Sequence, residues 1–262
     1  MNSMRKQRGA RLSSRLCALA LVGSLAACAP GPTPTPSPTS SASPSDTGAS
    51  STPSTSAGPV ITIDSPIADA RVTVPVTASG IANTFEAALT VEMLTESGDI
   101  LCVRNIMTTP GSSTPGSWQT DVAFVPPDSD EPATLRAYEL SAQDGTPINV
   151  VERDVTVTSE RPPIIIVTPV CGDTAAPGGQ IAVTGRALVF EAQFSIDLRD
   201  AAGDVLLTQA VTAESGTEES DFTATVTLPT DLAGGYYDIV AYDNNAKDGS
   251  IEYEFPVQIL VQ

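Results

Sequence analysis

There is no histidine among the 262 residues of this sequence. That absence excludes Ser-His-Asp and Cys-His nucleophile systems and most catalytic zinc sites, all of which depend on an imidazole. Basic residues are scarce too, 13 Lys+Arg against 31 Asp+Glu, and they are unevenly placed. Arg5, Lys6, Arg8, Arg11 and Arg15 all precede the first acid, Asp46; without these five, eight bases face 31 acids, a net charge of −23. So acidic a body repels phosphate backbones, whose binding depends on Lys and Arg displacing counterions. Nucleic acid is therefore not an expected partner. The apolar run over residues 16–25 is too short to span a bilayer, which needs about 20 apolar residues.

What is present begins with that run. A basic stretch leads into it, as in the core of an export signal. It ends in Leu25-Ala26-Ala27-Cys28, which resembles the lipobox of bacterial lipoproteins. The resemblance implies a signal peptide over residues 1–27 and a diacylglycerol on the sulfur of Cys28, the first residue of the mature chain. Several acyl chains anchor a protein stably where one holds only marginally. The expected location is the outer face of the bacterial cytoplasmic membrane. From residue 29 to 59 the chain is nearly all Pro, Ser, Thr, Ala and Gly, with one charge at Asp46. Such a segment cannot bury enough apolar surface to offset its ordering entropy, so residues 28–59 read as an acylated cysteine followed by a disordered linker.

After Pro59 the composition changes to short runs of Val, Ile and Thr separated by Gly, Pro and Asp. Alternation in Leu89-Thr90-Val91-Glu92-Met93 and in Phe194-Ser195-Ile196-Asp197-Leu198 predicts strands with one buried face. The runs also recur. Gly80, Phe85, Glu86, Ala87, Gly98 and Asp99 register with Gly185, Phe190, Glu191, Ala192, Gly203 and Asp204. Trp118 falls opposite Phe222, Ala137-Tyr138 opposite Ala241-Tyr242, and Asp144-Gly145 opposite Asp248-Gly249. The reading is all-β: two tandem immunoglobulin-like β-sandwiches over 60–158 and 163–262, each about 100 residues long. Pro162-Pro163 makes a short, stiff joint between them.

The ordered series comprises an opening Ile63-Asp64-Ser65-Pro66, the Gly80…Phe85-Glu86-Ala87 stretch, a Gly-Asp hairpin, an aromatic-led strand, an Ala-Tyr strand and an Asp-Gly turn. It resembles the immunoglobulin-like domain of bacterial spore germination proteins, a domain often found beside the GerMN domain in exported lipoproteins. The resemblance covers both copies. It implies a non-catalytic interaction or presentation module of the bacterial envelope, whose partners are the membrane, through its anchor, and an envelope protein or wall polymer. A carbohydrate- or wall-binding accessory role is the alternative, and an enzyme would need carboxylates converging in a cleft between the sandwiches.

Nothing in the sequence asks for a cofactor or a metal. Glu86 and Glu191 stand as candidate carboxylates. The structural reading of Phe85-Glu86-Ala87 and Phe190-Glu191-Ala192 places each Phe in the core and each Glu as acceptor for loop N–H groups. Residues 243–249 hold acids and amides, yet Lys247 and Asp248 occupy positions 5 and 6, where a calcium loop needs an oxygen ligand and Gly; Asp248-Gly249 is a hairpin signal instead. The acids of 128–131 and 214–221 read as solvated connections without a companion base. Trp118, Tyr138 and Tyr242 read as core. Tyr236 and Tyr237 are adjacent in a strand, so one faces outward as a contact candidate. Cys102, in a strand, and Cys171, in a loop, remain once Cys17 and Cys28 are assigned to the leader and anchor. Outside the cytoplasm they could join the two copies, provided their Cα atoms approach within about 7 Å.

Overall fold

Buried and exposed positions alternate along the aromatic-led strands as period-two patterning requires. Trp118, Thr120 and Val122 point inward from β5 (Gly116–Val122), as do Phe222, Ala224 and Val226 from β13 (Ser220–Thr227). The computed structural model describes residues 60–109 and 114–262. The export signal, Cys28 and the Pro/Ser/Thr segment lie outside the described residues.

Copy one contains β1 (Ala70–Val72), β2 (Val76–Ala82), β3 (Ala88–Thr95), β4 (Ile100–Met107), β5, β6 (Glu131–Leu140) and β7 (Pro147–Val157). One sheet runs β1-β7-β6-β3-β4 and the facing one pairs β2 with β5. The segment before β1 lies along β2 through the bridges Ile61↔Ala82 and Ser65↔Ser79. Copy two contains β8 (Ile164–Thr168), β9 (Thr174–Ala175), β10 (Gln180–Ala187), β11 (Gln193–Arg199), β12 (Val205–Thr212), β13, β14 (Gly235–Asn244) and β15 (Ile251–Val261). Its sheets are β13-β10-β8 and β12-β11-β14-β15-β9. The larger sheets have the same strand order, and in the smaller ones β8 takes the place of the bridged segment before β1, so β4 corresponds to β12 and β5 to β13. The short β1 and β9 each pair parallel to the last strand of their own copy. These are two tandem immunoglobulin-like sandwiches.

Each core is filled from both sheets. Ile61, Val76, Leu89, Val91, Trp118 and Leu135 meet in copy one; Ile164, Val183, Ile196, Phe222, Ile239 and Phe255 meet in copy two. Burying one such side chain contributes about 1.5–3 kcal/mol. The repeated glycines have a packing reason. Gly80 lies directly opposite Trp118, and Gly185 directly opposite Phe222. A Cβ on Gly80 would strike the Thr62 carbonyl and come within 3.0 Å of the Trp118 indole nitrogen. On Gly185 it would strike the Ile165 carbonyl and come within 2.7 Å of the Phe222 ring. Hydrogen at these positions lets an aromatic ring and the first strand share one place.

The Phe-Glu-Ala repeat differs from its sequence reading. Both triplets form single turns, Phe85–Ala87 and Phe190–Ala192, in which the last two residues are left-handed, φ 54° and 61° in copy one and 55° and 58° in copy two. Ala87 and Ala192 are buried, whereas Phe85 and Phe190 are 63% and 69% exposed. The phenylalanines therefore do not fill the core. Glu86 and Glu191 are exposed as well and accept no loop N–H among the described residues. Two successive left-handed residues interrupt strand alternation, so the inward parity of Leu89 does not extend back to Phe85.

Candidate functional site

Strand β4 is the edge of its sheet, and an edge leaves a row of unpaired N–H and C=O groups. Copy two covers this one. The Asn105 N–H donates to Gln258 Oε1 at 2.6 Å, and Gln258 Nε2 donates to the Asn105 carbonyl at 3.1 Å. One side-chain amide thus stands in for a neighbouring strand. Arg104, one residue earlier, donates through both terminal nitrogens to the Asp238 carboxylate at 2.8 and 3.0 Å and through Nε to Thr120 at 3.0 Å. The side chains of Arg104 and Asp238 are 7% and 21% exposed, so the pair is largely desolvated and held in a bidentate geometry. Cys102, on the same face of β4, is disulfide-bonded to Cys171 with Cα atoms 5.0 Å apart. Three successive features of one edge strand therefore hold the sandwiches together.

The joint is held at both ends besides. The Ser159 N–H donates to Asp130 at 2.9 Å, and the Arg161 guanidinium grips Glu219 at 2.6–3.1 Å. Asp130 also pairs with Arg71, and Arg186 lies 3.6 Å from Glu219. The bond from Ser159, reinforced by Arg71, holds the Asp130 carboxyl below the ordinary carboxylate range. These acids do have companion bases, contrary to the reading of both acidic loops as purely solvated connections. Pro162-Pro163 is only one of several couplings between the copies.

Beside the clamp lies a cleft of roughly 740 Å³. Copy one supplies Phe85, Glu86, Met107, Asp121, Glu139 and Leu140; copy two supplies Arg199, Asp200, Tyr236, Glu254 and Pro256. Its floor is the clamp itself, Arg104, Asp238 and Gln258. The rim is apolar: Phe85 63%, Met107 61%, Leu140 50% and Tyr236 38% exposed. Several carboxylates of the cleft are already engaged. Glu254 accepts from Arg199 at 2.7 Å, and Asp200 accepts the Ala202 and Asp204 N–H groups at 2.9 Å. Glu139 accepts the Phe85 N–H at 2.8 Å and a bond from the Asn149 amide. Such an arrangement can hold an extended partner by apolar contact and hydrogen bonds.

Each copy also buries a carboxylate on the outer face of its larger sheet. In copy one Glu92 accepts from Arg136 and from the Tyr138 hydroxyl at 2.7 Å, with the guanidinium 5.5 Å above the Tyr138 ring. Burial and the bond to Glu92 push the Tyr138 pKa up. In copy two Asp197 accepts from Arg199 at 2.9 Å, and Arg199 lies 5.5 Å over Tyr242. The arginine comes from β6 in one case and β11 in the other, while the carboxylate and the tyrosine keep their places.

Of the residues singled out in the sequence, the cleft brings together Phe85, Glu86 and Tyr236. It does not gather Phe190, Glu191, Ala192 or Tyr237. Tyr236 is the outward member of its pair; Tyr237 is half-buried, its hydroxyl donating to the Ala233 carbonyl at 3.0 Å. Trp118 lies in the core, but Tyr138, buried, and Tyr242, half-buried, lie on the outer face beside the arginines rather than in the core they were read into. Asp248 accepts the Ser250 N–H and hydroxyl, as Asp144 accepts those of Thr146, so both Asp-Gly segments are side-chain-braced turns. Among the described residues no group of three or more His, Cys, Asp or Glu side chains converges to hold a metal. Sequence reasoning missed Arg104, Arg199, Asp238 and Gln258. The signal available was Arg104 itself, a lone charge in Ile-Leu-Cys-Val-Arg-Asn-Ile-Met, two residues from a cysteine of the same strand face.

Residues 60–146 and 164–250 match the family described as the immunoglobulin-like domain of bacterial spore germination. No curated protein matches the chain. Among solved structures it is similar to the fibronectin(III)-like modules of Clostridium thermocellum CbhA, at 17% identity over 77% of this chain and 94% of that one, with a TM-score of 0.24. It is also similar to an ICAM-5 D1–D4 ectodomain fragment, at 15% identity over 77% and 53% with a TM-score of 0.26. For the periplasmic chaperone SfaE the values are 13%, 77%, 100% and 0.23. Scores this low bear on neither fold nor role; the strand order and the family match carry the fold.

Proposed function

The chain belongs to the family of the immunoglobulin-like domain of bacterial spore germination, and from that premise we propose that it is a non-catalytic interaction module of the bacterial envelope. Acyl chains on Cys28 hold it at the outer face of the cytoplasmic membrane, the segment of residues 29–59 extends it, and the cleft between its sandwiches takes up an envelope protein. The observation that carries this reading is the clamp. Cys102–Cys171, Arg104–Asp238 and Gln258–Asn105 fix the walls of the cleft relative to each other, and a preorganised surface avoids the ordering cost of binding. The engagement of Asp200, Glu139 and Glu254 by backbone N–H, amide and guanidinium partners supports a contact surface over an acid–base site, which needs a group free to exchange a proton with substrate.

A wall polymer is the second reading, favoured by the exposed Tyr236 and Phe85 on the rim of the same cleft. The test is a photo-crosslinking residue at Tyr236 in intact cells, with Thr225 on a remote strand as control. A discrete protein adduct at Tyr236 alone supports the first reading and a polymer smear the second; equal labelling at both positions contradicts the cleft. The anchor is tested separately. Wild type should enter the detergent-rich phase on Triton X-114 partition and Cys28→Ala the aqueous phase, whereas an aqueous wild type would refute it.

A further inference from the structure

Strand β12 is the counterpart of β4, and we propose that its open edge pairs antiparallel with the β12 edge of a second copy of this chain. β12 ends its sheet, and among the described residues no strand pairs with its outer side. The Ala213 N–H donates inward to the Ala192 carbonyl at 2.8 Å, so by strand parity the N–H and C=O of Thr208, Ala210 and Thr212 face outward. All three are exposed. The counterpart of Ala210 is Asn105, whose backbone is the one that Gln258 satisfies. In copy one, then, this edge is where a sister domain docks; in copy two the same edge is bare.

The occupant follows from charge and from the strand itself. Val205–Thr212 reads VLLTQAVT and carries neither charge nor proline, although edge strands are ordinarily blunted by such residues. Two chains that each carry eight bases against 31 acids beyond residue 28 repel over most of their surfaces, so they approach best along an uncharged one. Antiparallel pairing centred on Ala210 places Thr208 opposite Thr212 of the second copy, and the same groups meet from both sides, as a two-fold interface requires. The preceding segment of this chain is a poor competitor, because its prolines lack the N–H that a ladder needs. The clamp residues are not repeated: Gln209 and Leu207 stand where Arg104 and Cys102 stand in copy one, which argues against head-to-tail stacking through this edge.

The test is the mass of the purified full chain in mild detergent, measured by sedimentation across protein concentration at low and high salt. We expect a dimer that tightens with salt, as screening of like charge requires. Ala210→Lys, which sets two ammonium groups face to face, should raise its dissociation constant about tenfold or more. Ala210→Pro, which removes a central donor, should act likewise, while Thr225→Lys on β13 should leave the dimer unchanged. Unaltered thermal midpoint and near-ultraviolet circular dichroism show that each variant remains folded; if either Ala210 variant unfolds, the other decides. A monomeric wild type at every concentration overturns the proposal, and so does a dimer indifferent to both Ala210 variants.

Discussion

Strands β4 and β12 hold the same place in two copies of one fold, and their surroundings differ. Around β4 the chain has a cysteine, an arginine and an asparagine, each bonded to copy two. Around β12 the same positions hold Leu207, Gln209 and Ala210, and among the described residues none of their side chains is bonded to the other copy. The cores show the opposite. Trp118 and Phe222 face Gly80 and Gly185 in matching registers, and both Phe-Glu-Ala turns adopt the same left-handed geometry. The two copies thus share the glycine–aromatic packing and the left-handed turns, and they differ at the β4 and β12 edge, where only β4 meets the other copy.

The shared part breaks hardest. Trp118→Ala and Phe222→Ala should each cost about 3–5 kcal/mol, measured by urea unfolding, and the comparison sharpens if the two costs agree; a cheap variant in either copy would break the equivalence. The joined edge comes next. Replacing Cys102 and Cys171 together by Ala should cost about 2–4 kcal/mol, because the bond closes a long loop, residues 102–171. Arg104→Ala leaves Asp238 partly solvated and should cost about 2 kcal/mol, whereas Gln209→Ala should stay within about 0.5 kcal/mol.

The smallest effect is one of pH, and it should be the same in both copies. Thr146 bonds hold the Asp144 carboxyl, and Ser250 bonds the Asp248 carboxyl, below the ordinary value of 3.8. A carboxylate whose folded pKa is depressed stabilises the fold above its unfolded pKa and ceases to do so as pH falls through the folded value. Amide protection at the two turns, taken relative to the intrinsic exchange rate at each pH, should therefore fall together below about pH 4. A fall in protection at one turn only would show that the two are not built alike.

Most of the fold was legible because strand alternation and the hundred-residue echo are properties of local sequence. Leu89, Val91 and Met93 announce a buried face, and Gly80 with Trp118 announces its twin. The Phe85 and Phe190 positions were misread because two left-handed residues reset strand parity, and only a glycine would have flagged such a turn. The clamp was half legible. Cys102 and Cys171 stood out as thiols with no assigned role, but their separation depends on the angle between the sandwiches, to which no residue spacing speaks. Asp238 and Gln258 lie 134 and 153 residues from their partners and carry no local mark at all. Asp130 and Glu219 were misread for the same reason, since Arg71 sits on β1, Arg186 on β10 and Arg161 in the joint.

The central claim is that the β4 edge makes one body of two sandwiches, and residual dipolar couplings of the isotopically labelled chain test it most directly. A single alignment tensor should fit the amides of both copies, and it should split into two when Cys102→Ala, Cys171→Ala and Arg104→Ala are combined. Two different tensors in the oxidised wild type would contradict the account.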